Sequence, residues 1–355
     1  MKIVLYLFSI ASFYAFFSCK KPTNSTVTLK NEAILSKKID IKGLNFVAAP
    51  DPFSQDPMPA VKNVNADWIA VIPYGYTMPN QPSVHYNEKG GQWYGETPEG
   101  VRATIKIAHD AGVNVMLKPQ VYCPYGWTGG LDFDSDAKWQ SWEKDYVKYL
   151  MQFVTIAQEN KVEMLCIGTE FKISVQKRAF FWKKLIMDIR KIYDGKLTYA
   201  ANWDEYEMIS FWSDLDFVGV NAYFPLTNEK TPSVTLLQKA WEKPLASLQS
   251  FYEKNKKPII FTEYGYLSID SCAYNGWELE KKVRAMGINE QAQSNAIEAI
   301  LLTFSQKNWW KGGFLWKWFP NMQGHEGYPE RDYSPQGKIG EKTLAKYYGV
   351  KCVER

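Results

Sequence analysis

Eight short apolar runs, separated by longer stretches of helical periodicity, dominate the sequence. Four lie at 40–48 ("DIKGLNFVA"), 66–74 ("ADWIAVIPY"), 113–122 ("VNVMLKPQVY") and 162–170 ("VEMLCIGTE"). The others lie at 197–203 ("LTYAANW"), 216–224 ("DFVGVNAYF"), 258–266 ("PIIFTEYGY") and 312–319 ("GGFLWKWF"). Each is nearly continuous in apolar residues rather than alternating, the pattern of parallel strands covered on both faces. Residues 97–112 read as a helix with Thr97 as cap, Pro98 at its first position and Gly112 as terminator. Along 136–160, Trp139, Trp142, Tyr146, Tyr149 and Phe153 recur every three or four residues, which builds one helical face with Asp136 as its expected cap. Residues 204–215 are all that join the fifth run to the sixth, so a helix there must be short. Segment 337–349, "GKIGEKTLAKYYG", supplies an eighth helix. The α/β pattern predicts a (β/α)8 TIM barrel, a single domain over 39–350. An open doubly wound sheet is the alternative, and the absence of a glycine-rich phosphate loop after the first run counts against it.

The chain opens "MKIVLYLFSIASFYAFFSCKK". A basic start, an apolar core and small residues before the cut make 1–18 a signal peptide, too short for a span of roughly 20 residues. "FFSC" resembles a bacterial lipobox, which makes Cys19 the lipid-modified first residue of the mature protein and 19–38 a polar tether. The expected location is the bacterial cell envelope, with the lipid anchor holding the protein at the membrane on its periplasmic or outer-surface face. An ordinary signal peptide or an uncleaved anchor is the alternative.

The spacing of Cys123, Cys166, Cys272 and Cys352 fits no zinc site. Cys166, inside an apolar run, is expected to be buried and reduced, and a Cys123–Cys272 bridge is conceivable in an oxidising compartment. Residues 132–143 place acids as a calcium loop does, but Ala137 stands where that loop needs glycine, and a helix begins there. His85, His109 and His325 are scattered, although His325, after the eighth run, could reach a cleft. No cofactor and no metal are expected, and no Gly-x-Ser-x-Gly elbow points to a serine hydrolase. A net charge of +4, from 42 basic and 38 acidic side chains without a basic block, argues against a nucleic-acid partner. The chain is expected to act as a monomer. Its 14 tryptophans supply planes that pack cores and also stack on the apolar faces of sugars.

In a barrel of this kind the active site lies at the C-terminal ends of the strands. The fourth run ends in Glu170 and the seventh in Glu263, each preceded by Thr. The third offers Lys118 and Gln120, the fifth Asn202 and Trp203, the sixth Asn221 and Tyr223, and the eighth Trp316 and Trp318. Asn45 and Tyr74 come from the first two. Either glutamate alone would also fit a strand-end salt bridge. Two facing each other across one barrel mouth fit glycoside hydrolysis, where one acid protonates the leaving oxygen and the other traps the oxocarbenium-like centre. A retaining mechanism would bring them to roughly 5–5.5 Å. Aromatic loops after the second and third runs, "PYGYTMP", "GGQWYGE" and "YCPYGWTGG", either line further sugar subsites or pack against the barrel.

The segments "IGTE" (167–170), "VGVNAYFP" (218–225), "IIFTEYGY" (259–266) and "GGFLWKW" (312–318) resemble clan A glycoside hydrolases, and within the clan glycoside hydrolase family 113, the β-1,4-mannanases. The resemblance spans 40–349. It implies that Glu170 is the general acid/base, that Glu263 is the nucleophile, that Tyr223 stands beside the nucleophile and that Trp316 floors the sugar subsite. Most of the clan carries Asn before the strand-four acid to bind the sugar 2-hydroxyl. Thr169 stands there in this sequence, as in family 113, so Asn202 or Asn221 would have to make that contact. The partner implied is a β-linked glycan. An exo-acting β-mannosidase, another β-glycosidase, or a lipid-anchored glycan-binding protein without activity are the alternatives.

Overall fold

Parallel strands that bury both faces form either an open doubly wound sheet or a closed ring without edges, and this chain forms the ring. The structure, a computed structural model, describes residues 39–86, 91–321 and 327–350. Cys19, the tether, His325 and Cys352 lie outside the described residues. The strands are β1 (Ile41–Phe46), β2 (Trp68–Val71), β3 (Asn114–Leu117) and β4 (Met164–Thr169), then β5 (Lys196–Asn202), β6 (Val218–Asn221), β7 (Ile259–Tyr264) and β8 (Trp310–Trp318). They pair in sequence order, all parallel, and β8 returns to β1 to close the barrel. The seam is tied by Asn45 Nδ2, which donates to Thr262 O at 3.1 Å and Phe314 O at 3.0 Å, and by Tyr348 Oη, which donates to Gly43 O at 3.0 Å. The third run holds two pieces. Beyond β3, Gln120–Tyr122 pairs with Tyr74–Tyr76 as a separate two-stranded ribbon above the barrel.

Outside the ring run α1 (Met58–Asn63), α2 (Pro98–Asp110), α3 (Asp136–Glu159), α4 (Ala179–Arg190), α5 (Val234–Asn255), α6 (Glu290–Phe304) and α7 (Ile339–Tyr348). Thr97 caps α2, its Oγ1 accepting from Gly100 N at 3.1 Å. The cap of α3 is Ser135 rather than Asp136. Ser135 Oγ accepts from Lys138 N, and Asp136, now the first helical residue, pairs with Arg178. The acids of 132–143 are spent on cations, Asp132 on Lys177, Asp134 on Lys138 and Glu143 on Arg178. Between β5 and β6 the short helix expected is replaced by two 3-10 turns, Tyr206–Met208 and Trp212–Asp214.

Two apolar layers result. Ile41, Met116, Met164, Cys166, Ile260 and Phe314 fill the barrel interior. Gly43 is required there, because a Cβ on it would lie 2.3 Å from the Phe314 ring. The larger layer lies between strands and helices and includes Trp142, Tyr146, Phe171 and Trp182, whose rings pack stacked, edge to face or tilted. Cys123, Cys166 and Cys272 are buried free thiols, so the conceivable Cys123–Cys272 bridge is not formed.

Candidate active site

The ring of strands delivers both glutamates to one cavity of about 1000 Å3 at its C-terminal mouth. The seventh strand carries Glu263 as its penultimate residue, and the carboxylate is almost wholly buried. Three donors meet it. Lys118 Nζ and Gln120 Nε2 (3.1 Å) reach Oε1, and Tyr223 Oη reaches Oε2 at 2.9 Å. Lys118 is 0% exposed, so its charge and that of Glu263 compensate one another in the barrel interior. Burial first, and then the Glu263 charge, push the Tyr223 hydroxyl well above its usual pKa, which keeps it a donor.

Glu170 is built differently. The fourth strand ends at Thr169, and Glu170 follows at φ 54°, in the left-handed region that side chains with a Cβ rarely adopt. Holding such a residue there costs about 1–3 kcal/mol and persists only where the surroundings over-determine it. Two features do so. The register of β4 on β5 shifts between Cys166 and Thr169, and Glu170 N–H still donates to Ala200 O at 2.9 Å. Asn221 Nδ2 donates to Oε1 and Trp127 Nε1 to Oε2, each at 2.8 Å. Burial, reinforced by the negative charge of Glu263, raises the pKa of Glu170, and the two hydrogen bonds pull the other way. One carboxylate is thus held by a cation and the other is pushed toward its protonated form. This is the division of labour that acid-assisted substitution at a sugar carbon needs.

With that cavity in view, sequence likeness decides the family. The profile of Glycoside Hydrolase Family 113 matches residues 50–338. This chain belongs to glycoside hydrolase family 113. It is therefore an enzyme, a glycoside hydrolase on a TIM barrel. The family 113 chain superposes on a β-mannanase of the family from Alicyclobacillus acidocaldarius with a TM-score of 0.73, at 24% identity over 89% of this chain and 99% of that one. A β-1,4-mannanase of the same family gives 0.74 at 22% identity, over 88% and 99%. A β-glucuronidase from Ruminococcus gnavus gives 0.59 at 13% identity, over 87% and 50%. At these identities the structural likeness is one of fold. No curated protein matches the chain in sequence.

Six of the eight residues expected to bind substrate line the cavity of this family 113 hydrolase: Tyr74, Asn202, Trp203, Asn221, Tyr223 and Trp316. Trp316 reaches it from β8, where the Trp316–Lys317 peptide is cis, and Lys118 Nζ lies 5.8 Å from its ring centroid. Two expected residues do not line it. Lys118 lies beneath Glu263, and Asn45 spends its amide on the seam between strands. Trp318 is likewise buried in the core.

The two asparagines weighed for a sugar hydroxyl also differ. Asn221 is engaged at both ends, by Glu170 and by Thr262 Oγ1 at 2.8 Å. Asn202 Oδ1 accepts from Trp203 N, and among the described residues its amide nitrogen has no partner. Of the aromatic loops, "YCPYGWTGG" lines the cavity through Tyr122, Tyr125 and Trp127, and "PYGYTMP" through Tyr74. The described residues of "GGQWYGE", 91–96, do not line it. There Gln92 Nε2 bonds Glu96 at 2.7 Å and Tyr74 O at 3.0 Å, which ties the loop to the Tyr74–Tyr76 ribbon. Sequence reasoning passed over Trp277, which faces Trp203 in a near-parallel stack at 6.1 Å, and Tyr333. The excess of tryptophan was their only signal.

Proposed function

We propose that the protein is a retaining endo-β-1,4-mannanase that works by double displacement. Glu170, protonated, gives its proton to the glycosidic oxygen as that bond breaks. Glu263 attacks the anomeric carbon to form a glycosyl-enzyme, and Glu170, now ionised, takes a proton from the water that releases the sugar. Lys118, Gln120 and Tyr223 hold the Glu263 carboxylate in place until attack. Trp316 lies against the sugar at the cleavage point, and Asn202 offers its amide to a ring hydroxyl. Trp203, Trp277, Tyr122, Tyr125 and Trp127 line the same cavity as the two acids and offer stacking planes for neighbouring sugars. The observation that carries the reading is the shared cavity, in which one glutamate meets a buried cation and the other is pushed toward protonation. Mannan as substrate is supported by family membership and by solved relatives described as β-1,4-mannanases. Lipid anchoring through Cys19 is part of the same proposal and rests on the pattern of residues 1–19.

Product analysis on β-1,4-mannan, mannooligosaccharides and aryl β-mannosides tests it. Internal cleavage of mannan is expected, whereas release of mannose alone would point to exo action. Glu170→Ala and Glu263→Ala should each lower turnover of mannan by at least about 10²–10⁴-fold, the range of a lost general acid or more. Azide should rescue Glu170→Ala on an activated aryl mannoside and give a product of retained configuration. The same product from Glu263→Ala would reverse the two roles.

A further inference from the structure

Glu205 lies in the loop after β5, wholly buried, with no ion-pair partner among the described residues. A buried carboxyl without a cation is costly unless hydrogen bonds hold it. Two do. Tyr199 Oη donates to Oε1 at 2.8 Å, and Asn202 N donates to Oε2 at 3.1 Å. The same Tyr199 oxygen accepts the N–H of Phe171 at 2.7 Å, and Phe171 is the residue directly after Glu170. A chain of three hydrogen bonds therefore runs Phe171 N–H to Tyr199 O–H to Glu205 to Asn202 N–H. It joins the end of β4 to the end of β5 underneath the cavity. Tyr199 also packs beneath Gly168, where a Cβ would approach its ring to 3.0 Å. The peptide after Glu170 leaves a left-handed residue, so its N–H points away from regular strand pairing and needs an acceptor of its own. Tyr199 is that acceptor, and Glu205 fixes its hydroxyl rotor. Burial pushes the Glu205 carboxyl up to about 8, with the Tyr199 and Asn202 bonds acting against that shift and the Glu170 charge adding to it.

We propose that Glu205, acting through Tyr199, is a positioning residue that holds Glu170 in the pose from which it donates its proton. This rests on the reading of Glu170 as the acid/base. A substitution that breaks the chain should matter when the leaving group needs a proton and matter little when it does not. That selectivity separates positioning from general support of the fold.

Tyr199→Phe keeps the ring and removes both links. Glu205→Gln keeps the shape but sets an amide N–H2 against either Asn202 N–H or the Tyr199 hydroxyl proton. Both variants, with Glu170→Ala beside them, are assayed on β-1,4-mannan and on 2,4-dinitrophenyl β-mannoside, with circular dichroism to establish folding. On mannan kcat/KM is expected to fall about 10- to 100-fold, the scale of a 1 Å misplacement, and on the dinitrophenyl substrate less than about threefold. Equal losses on both substrates, or no loss in a folded variant, would overturn the inference. Should Tyr199→Phe not fold, Glu205→Gln decides alone. If Glu170→Ala itself fails to discriminate between the substrates, the acid/base assignment falls and the inference with it. If Glu170→Ala discriminates and the other two variants do not, only the inference falls.

Discussion

At the scale of single residues the site is a problem in placing charge. Glu263 has a buried ammonium and two neutral donors, whereas among the described residues the side chain of Glu170 meets only the N–H groups of Asn221 and Trp127. A general acid works while it holds its proton, so activity should decline as pH rises through the raised pKa of Glu170. The Trp127 hydrogen bond favours the ionised form, and replacing it with Phe removes a donor from the charged state. The pKa of Glu170 then rises further. In a pH profile of kcat/KM the alkaline limb of Trp127→Phe should lie at higher pH than in the parent enzyme, and a limb that stays or moves down would contradict the assignment. Lys118 illustrates what reading strand ends cannot do. Successive side chains of a strand point to opposite faces, and a list of terminal residues does not say which face opens on the cavity. Asn45 and Lys118 were legible as polar groups inside an apolar barrel. Their partners, a backbone seam and a buried carboxylate, depend on register.

At the scale of elements, all eight strands were legible because strands buried on two faces have little choice but continuous apolar sequence. The exceptions are instructive. Ser135 and Asp136 both suit a cap, and pattern alone does not separate neighbours. The β5–β6 link was rightly too short for an ordinary helix, yet it forms two 3-10 turns in place of the short helix expected, and its length alone does not single out the buried Glu205. Trp127 comes from a loop and Trp277 from a five-residue helix, Gly276–Glu280, and neither segment is long enough to leave a periodic trace. The end of β4 is closely fitted, since a Cβ on Gly168 would lie 2.8 Å from Trp182 and 3.0 Å from Tyr199. Gly168→Ala should destabilise the fold by about 1–3 kcal/mol through overpacking, visible as a lower melting temperature in calorimetry. Activity should fall with it, because the displaced strand end carries Glu170. An unchanged melting temperature would mean that those two rings yield more easily than their packing implies.

At the scale of the whole molecule, catalytic machinery and cellular address are separable. The elements of the barrel run from Ile41 to Tyr348, and the lipobox-like segment precedes them. If Cys19 bears lipid, detergent phase partition of the protein expressed in a bacterial host should carry the parent chain into the detergent phase and leave Cys19→Ala in the aqueous phase. Mannan turnover per molecule should be equal in both. Partition of both into water would dismiss the anchor without touching the site. The closing seam has a different consequence. The first strand pairs with β2 on one side, finds its second neighbour only in residues 310–318, and Tyr348, which bonds Gly43, comes later still. A chain emerging from its N-terminus must therefore hold β1 with one side unsatisfied until β8 has arrived, and the last strand of the ring acts as the latch for the first. Premature termination anywhere short of β8 would release not a smaller enzyme but an open sheet with two raw edges, free to recruit the nearest chain in the same condition.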